Sequence, residues 1–154
     1  MSWTRKKGLD QIGRYCAYQD RSHAEVRRKL GQLGCPWDEI DDVLVTLIEQ
    51  GFLNEERFAR AYTRGKFRMK GWGRIKIQQG LREKQVGEQL IEMALAEEIE
   101  ETAYWERLRM EVLKKWPQED PPQFEDWQKI KTQVARKGYE WELLEEMFRE
   151  LFGK

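Results

Sequence analysis

The chain has 154 residues, and its 28 basic and 28 acidic side chains give a formal net charge of zero. The mean hydropathy of −0.87 is low, but 7 Trp, 6 Phe and 5 Tyr are too many aromatic residues for an intrinsically disordered chain. The length is that of a single domain that can bury a core. Because only 4 prolines occur beside abundant Glu, Lys, Arg, Leu and Gln, the composition predicts an all-α protein.

Neither a membrane span nor a secretion signal is visible in the sequence. The longest apolar run, residues 43–48, is far shorter than the roughly 20 residues of a membrane-spanning helix. The N-terminus, MSWTRKK, lacks the apolar stretch of a signal peptide. Cys16 and Cys35 have no partner at metal-ligand spacing, and we interpret them as small buried residues in a reducing compartment. We therefore predict a cytoplasmic protein with no membrane contact.

Capping and turn signals divide the first third of the chain into helices. A longer helix is predicted over about residues 8–19. The capping box Ser22-His23-Ala24-Glu25 begins a second helix, and Gly34 is placed to end it. Pro36 fits the first turn of a third helix, which Gly51 ends.

The middle of the chain follows the same plan. Asn54 is expected to cap a helix over residues 54–70. The residues predicted to form its buried face are Phe58, Ala61, Tyr62, Gly65 and Met69. Gly71-Trp72-Gly73 interrupts the pattern, and two shorter helices are predicted to follow.

A weak internal repeat relates three parts of the chain. Leu30, Leu81 and Val134 align at offsets of 51 and 53, and the positions four before and five, ten and thirteen after them are apolar or small. With a longer helix before each pair of short ones, this pattern predicts three tandem three-helix units. The predicted units are residues 1–53, 54–99 and 100–154. Because such units bury only their facing surfaces, we expect an elongated, curved molecule.

No pattern of a catalytic site is present. The chain has no GxSxG, HExxH or GxxxxGK[ST] motif, and no strand is predicted before the glycines at 71 and 73. His23, the only histidine, lies in the first turn of a capped helix, and we interpret it as a solvated helix residue. The sequence therefore predicts a protein that is not an enzyme and that needs no cofactor and no metal.

Charge is strongly segregated along the chain. Residues 1–84 carry 18 basic and 11 acidic side chains, whereas residues 85–154 carry 10 and 17. Within this division, residues 57–84 hold ten basic side chains and one acidic one, and residues 85–106 hold seven Glu and no basic residue. The neutral total therefore conceals a strongly basic middle segment.

The basic segment is the candidate partner-binding site. Its arginines recur every three or four residues and so line one edge of a helix. The candidate residues are Arg57, Arg60, Arg64, Lys66, Arg68, Lys70, Trp72, Arg74 and Lys76. We interpret them as a groove for a phosphate backbone or an acidic protein surface; the alternative is that neighbouring acidic helices neutralise them within the molecule. Trp72 either stacks on a base or partner residue, or fills the joint between repeats.

Three segments resemble the bacterial RecX regulatory proteins. They are YCAYQDRSHAEVRRKL at 15–30, LIEQGFLNEERFA at 47–59, and KGWGRI at 70–75 followed by Leu81. Residues 100–154 are similar to a more divergent third repeat. The resemblance implies a chain of three-helix repeats that modulates the RecA recombinase in DNA recombination, DNA repair and the SOS response.

The resemblance also implies the mode of action. Family members bind the RecA–DNA filament along its groove, inhibit its ATPase, strand-exchange and co-protease activities, and have weak, nonspecific affinity for single- and double-stranded DNA. We expect a monomer. The first alternative is a nonspecific DNA-binding helical module that does not depend on a recombinase, and the second is a scaffold that pairs with another protein through an exposed apolar patch.

Overall fold

The computed structural model describes residues 2–153, and within that range the chain forms nine α-helices, one short 3₁₀ helix and no strand. The α-helices are α1 (Arg5–Tyr18), α2 (His23–Gln32), α3 (Ile40–Glu49), α4 (Glu55–Lys70), α5 (Arg74–Glu83), α6 (Glu88–Glu98), α7 (Glu101–Lys115), α8 (Phe124–Ala135) and α9 (Trp141–Phe152). The 3₁₀ helix, Trp37–Glu39, directly precedes α3. The prediction of an all-α chain of three-helix repeats is confirmed.

Two helices begin at the side-chain caps that the sequence predicts. At the start of α2, the Glu25 N–H donates to Ser22 Oγ (3.1 Å) and the Ser22 N–H donates to Glu25 Oε1 (3.0 Å). At the start of α4, the Arg57 N–H donates to Asn54 Oδ1 (2.9 Å). These bonds satisfy N–H groups that have no partner within the helix. Both predicted helix starts are therefore confirmed.

The chain departs from the prediction at Pro36. Its ψ of 138° is extended, and α3 begins only at Ile40. Between them the Glu39 N–H donates to the Pro36 carbonyl (2.9 Å) and closes a 3₁₀ turn. The prediction that Pro36 lies in the first turn of an α-helix is wrong because this 3₁₀ turn lies between Pro36 and the start of α3.

The buried face of α4 is rotated from the predicted one. Phe58 is buried, but Met69 is 83% exposed, and the other three predicted residues are half-buried. The α4 side chains that are buried beside Phe58 are Ala59, Thr63 and Phe67. Because α4 carries apolar side chains on more than one side, its sequence does not define which side packs inward. The prediction that Met69 faces the core is wrong.

The aligned positions of the internal repeat are core positions. The five aligned positions of the three repeats give fifteen residues, and fourteen of them are buried. The remaining residue, Ile40, is partly buried and packs against the core of the first repeat. The three sets are Val26, Leu30, Cys35, Ile40 and Val43; Ile77, Leu81, Val86, Ile91 and Ala94; and Ile130, Val134, Tyr139, Leu144 and Met147. The positions that repeat in the sequence are therefore also equivalent core positions in the three repeats.

A left-handed residue ends the same helix in each copy. It is Gly34 in the first repeat (φ +88°), Gln85 in the second (φ +62°) and Gly138 in the third (φ +105°). In the first two copies the next residue donates its N–H to the carbonyl five positions earlier, at 3.0 and 3.1 Å. This is the hydrogen-bond pattern of a helix that ends in a left-handed residue. The second repeat thus carries glutamine where the other two carry glycine.

Replacing Gln85 with glycine is expected to raise the free energy of unfolding by about 1 kcal/mol, because a side chain strains the left-handed conformation. Urea unfolding followed by far-UV circular dichroism measures the change. As a control, Gln79→Gly in the exposed middle of α5 should lower the free energy of unfolding by about 1 kcal/mol. Equal destabilisation by both variants would contradict a strained Gln85.

The described chain divides into two compact units. The first comprises the chain up to Ala61 together with Leu81–Glu92, and its core is formed by the first repeat. The core residues are Ile12, Cys16, Val26, Leu30, Cys35, Val43, Leu44, Leu47 and Leu53. Both cysteines are buried and unpaired, as predicted, and burial raises the pKa of each thiol.

The second unit comprises Tyr62–Gly80 and the chain from Met93 on, and several aromatic rings pack together in its interior. The Tyr104 ring lies 5.9 Å from that of Phe67 and 5.2 Å from that of Tyr139, centroid to centroid. Trp127 and Phe148 pack at 4.6 Å between α8 and α9. The divergent third repeat therefore keeps a packed core in which large rings lie beside aliphatic side chains.

Candidate functional site

The nine candidate residues lie on α4, on the turn after it and at the start of α5. Those on α4 are Arg57, Arg60, Arg64, Lys66, Arg68 and Lys70. Trp72 lies in the turn, and Arg74 and Lys76 lie in the first turn of α5. The structure separates them into residues that pair with carboxylates and residues that do not.

The turn that carries Trp72 is held by backbone bonds to the segment between α8 and α9. The Gly73 N–H donates to the Lys137 carbonyl (2.7 Å), and the Ile75 N–H donates to the Gly138 carbonyl (2.9 Å). These bonds join the second and third repeats within one compact unit. The position of Trp72 therefore depends on residues more than sixty positions away in the sequence.

The two arginines near the start of α4 have acceptors in their own unit. Arg57 donates from Nε to Asp20 Oδ1 (2.5 Å) and from Nη2 to the Phe52 carbonyl (3.2 Å). Arg60 donates from Nε to Glu56 Oε2 (3.2 Å), one helical turn away. Both charges are therefore paired within the molecule, although neither partner lies on a neighbouring acidic helix, as the alternative predicted.

Arg64 and Arg74 also pair with carboxylates. Arg64 Nη1 lies 3.0 Å from Glu98 Oε1. Arg74 reaches two acids, with Nη2 at 2.9 Å from Glu101 Oε1 and Nη1 at 3.1 Å from Glu140 Oε2. Four of the nine candidate residues are thus held in ion pairs within the molecule.

The Arg74 pair extends to a buried tyrosine. The Tyr104 hydroxyl donates to Glu140 Oε1 (2.5 Å) and accepts the Arg74 N–H (3.0 Å), while the Arg74 guanidinium lies 3.9 Å from the Tyr104 ring centroid. Burial and the bond to Glu140 raise the pKa of Tyr104 well above its usual range. The hydroxyl therefore stays protonated, and the network connects α5 to α7 and to the residue that precedes α9.

Two lysines lie close to the Trp72 ring. The Lys66 and Lys76 ammonium nitrogens are 4.8 and 4.5 Å from its ring centroid, and Tyr62 meets the ring edge-on at 6.5 Å. Both lysines are within the range of cation–π attraction. The half-buried ring is therefore a common neighbour of two ammonium groups. Trp72 has two predicted roles, which are stacking on a partner and filling the joint between repeats. In both roles, the group that contacts the ring lies close to these two charges.

Arg68 and Lys70, at the end of α4, have exposed side chains that form no ion pair within residues 2–153. They lie in the same compact unit as Trp72 and its two lysines. We call this set the Trp72 surface, and it consists of Lys66, Arg68, Lys70, Trp72 and Lys76. It is the part of the candidate site whose charges are not matched by carboxylates.

A buried carboxylate that the sequence analysis missed lies beside the end of α4. Glu111 on α7 is 2% exposed and accepts bonds from Lys137 Nζ at Oε1 (2.9 Å) and from Arg107 Nε (3.1 Å) and Lys114 Nζ (3.3 Å) at Oε2. Burial alone would raise the pKa of Glu111, but the bonds from Lys137, Arg107 and Lys114 lower it below its usual value. Glu111 is therefore ionised at neutral pH.

The sequence held a signal for this carboxylate. Tyr104, Leu108 and Val112 form the buried face of α7, and Glu111 occupies the same face. A charged residue at a core position of an amphipathic helix is buried only when cations accompany it. Periodicity therefore marks Glu111 as unusual, although only the fold identifies its three partners.

Two kinds of site are not found in the part of the chain that the structure describes. No group of three or more His, Cys, Asp or Glu side chains is arranged to hold a metal ion. No helix among residues 2–153 is long and apolar enough to cross a membrane.

Comparison with known families gives matches in all three repeats. The first, second and third three-helix domains of RecX match residues 14–47, 54–95 and 102–146. The regulatory protein RecX of Salmonella paratyphi A is 26% identical over 152 residues, which cover 92% of this chain and 89% of the relative. The regulatory protein RecX of Geobacillus kaustophilus is 30% identical over 141 residues, which cover 90% of this chain and 52% of that longer relative.

Two solved structures share the fold. A crystal structure of a regulatory protein RecX matches with a TM-score of 0.81 at 24% identity, over 92% of this chain and 70% of the other. The crystal structure of RecX from Lactobacillus salivarius matches with a TM-score of 0.79 at 23% identity, over 95% of both chains. With three matching domains in the family order and relatives that align over nearly the whole sequence, this chain belongs to the RecX family of regulatory proteins.

Proposed function

We propose that this protein is a negative regulator of the RecA recombinase, which binds in the groove of the RecA–DNA filament and inhibits its ATPase, strand-exchange and co-protease activities. The observation that carries the proposal is the presence of all three RecX domains in order. Inhibition of this kind needs no catalysis, since a protein that binds one filament state more tightly than another shifts the filament toward the first state. We place the protein in the cytoplasm as a monomer.

The Trp72 surface supports this proposal. It presents four cations in a unit where Arg64 and Arg74 are already paired with acids. A nucleoprotein filament offers phosphates and acidic side chains to such a surface. We assign partner contact to the Trp72 surface and a positioning role to Arg57, Arg60, Arg64 and Arg74.

An ATPase titration tests the proposal. Purified protein is added to the cognate RecA and single-stranded DNA, at ratios from well below equimolar to equimolar. The rate of DNA-dependent ATP hydrolysis should fall, and RecA filaments seen by electron microscopy should shorten or lose their extended state. Unchanged ATPase rates together with unchanged filaments would refute RecA regulation.

The double variant Lys66→Gln/Lys76→Gln is expected to raise the concentration that half-inhibits RecA about five- to tenfold. Each lost surface charge contact is worth about 0.5–0.7 kcal/mol, within the range for exposed ion pairs. The matched control Lys6→Gln/Lys7→Gln removes two exposed charges from α1 and should leave inhibition unchanged. Equal inhibition by the double variant and the wild type, with both folded, would remove these lysines from the contact surface.

The second candidate is a nonspecific DNA-binding module that acts without a recombinase, and the unpaired cations of the Trp72 surface favour it. It predicts tight binding to single- and double-stranded DNA in the absence of RecA, with an affinity that falls steeply as salt rises. Tight DNA binding combined with no effect on RecA would favour this candidate. A protein-pairing scaffold predicts neither effect.

A further inference from the structure

The three cations around Glu111 exceed the charge that the carboxylate can neutralise. Lys137, Arg107 and Lys114 all bond to this one side chain, at 2.9, 3.1 and 3.3 Å. No other carboxylate within residues 2–153 forms an ion pair with any of the three. A net charge of about +2 therefore remains at this point, held in place by a buried anion.

These cations keep donors available to solvent. The side chains of Lys114 and Lys137 are 56% and 34% exposed, and that of Arg107 is 22% exposed. An ammonium group has three donors and a guanidinium has five. Each lysine uses one of its donors on Glu111. Glu111 thus orients the three cations from the buried side. Their remaining donors can bind an anion on the solvent side.

The cluster adjoins the end of α4. Arg107 Nη1 donates to the Arg68 carbonyl (3.3 Å), and a Cβ atom added at Gly71 would lie 2.4 Å from Arg107 Nη2. The exposed side chains of Arg68 and Lys70 belong to this same segment. The segment that carries them therefore adjoins three cations that share one carboxylate, and the three are Arg107, Lys114 and Lys137.

We propose that Arg107, Lys114 and Lys137 bind the phosphodiester backbone of a nucleic acid, with Glu111 as the residue that positions all three. The proposal rests on the proposed function for its partner, the DNA of the filament, and it brings the third repeat into that contact. The dense cluster of cations is complementary in charge to DNA, a polyanion that carries one charge about every 1.7 Å in duplex form. The donors of Arg107 and the lysines suit phosphate oxygens.

Binding of a fluorescent oligothymidine, measured by anisotropy without RecA, tests the inference. Lys114→Gln leaves Glu111 two partners, so the thermal unfolding curve should stay close to that of the wild type. We expect its DNA affinity to fall about three- to fivefold, and the slope of log affinity against log salt to decrease by about 0.7, as for one lost phosphate contact on a single strand. Lys114→Arg should keep both properties.

Lys129→Gln is the matched control, since Lys129 is an exposed lysine on α8 in the same unit without an ion pair within the described residues. It should change neither the affinity nor the salt slope. If Lys114→Gln binds DNA as Lys129→Gln does, the proposed phosphate contact is refuted. If Lys114→Gln keeps its DNA affinity but loses binding to DNA-free RecA, the cluster contacts an acidic protein surface, and the proposal is likewise overturned.

The same variants separate this inference from the proposed function. A wild-type protein that binds DNA through Lys114 but does not slow RecA would refute RecA regulation and leave the phosphate contact standing. A wild-type protein that inhibits RecA, with Lys114→Gln binding DNA normally, would refute only the phosphate contact.

Discussion

Replacing Gly73 with alanine is expected to lower the free energy of unfolding by about 3 kcal/mol, at the upper end of overpacking effects. A Cβ atom at this position would lie 2.3 Å from the Gly138 carbonyl oxygen and 2.6 Å from the Tyr139 backbone nitrogen. Both neighbours are backbone atoms, so no side-chain rotation relieves the clash. The turn must move away from the segment between α8 and α9, and this breaks the bond from the Gly73 N–H to the Lys137 carbonyl.

Urea unfolding followed by tryptophan fluorescence and far-UV circular dichroism measures this effect. The matched control is Gly65→Ala in α4, where an added Cβ atom meets nothing within 4 Å. That variant should be more stable than the wild type by about 0.5–1 kcal/mol, because alanine favours the helix. An unchanged unfolding midpoint for Gly73→Ala would contradict the close approach of the two backbones.

Glu111→Gln is expected to cost about 3 kcal/mol at pH 7. The substitution leaves Arg107, Lys114 and Lys137 clustered without their common anion, and removal of one partner from a buried ion pair is strongly destabilising. The amide keeps the shape of the carboxyl group, so packing changes little. Glu119→Gln, in the exposed loop between α7 and α8, is the control and should have no measurable effect.

The pH dependence distinguishes charge from packing at Glu111. Because the pKa of Glu111 is lower in the folded protein than in the unfolded chain, its ionisation stabilises the fold above the unfolded pKa of about 4.3. This stabilisation is lost as the pH falls from that value through the folded pKa. The difference between the wild type and Glu111→Gln should therefore be largest at pH 7 and should decrease steadily as the pH falls below about 4.3. A difference that does not change with pH would show that packing, rather than charge, is responsible.

Local features of the fold were predictable from the sequence. The Ser22 and Asn54 caps form as predicted because each bond joins residues only three positions apart. The offsets between Leu30, Leu81 and Val134 identified the repeat because equivalent positions of the three units are all buried and therefore carry apolar or small residues. The buried side of α4 was not predictable in this way, since Phe67 and Met69 are both apolar and only the packing neighbours decide between them.

The candidate site was only partly predictable. The basic residues are visible in the sequence, but the acids that pair with them are distant. Asp20 lies 37 positions from Arg57, and Glu140 lies 66 positions from Arg74. Hydrophobic periodicity does not predict ion pairs between residues so far apart in the sequence. Charge counting alone therefore could not distinguish the paired arginines from the cations of the Trp72 surface.

The sequence by itself determined the helical class, the three repeats, the family and the presence of a basic segment, because these follow from composition, spacing and short motifs. The tertiary structure alone decided which cations are neutralised and which remain available. It also brought Lys137 and Arg107 to the end of α4 and buried Glu111 between them. The physical reason is that ion pairs and burial depend on distances in space, which the repeats define only after they pack.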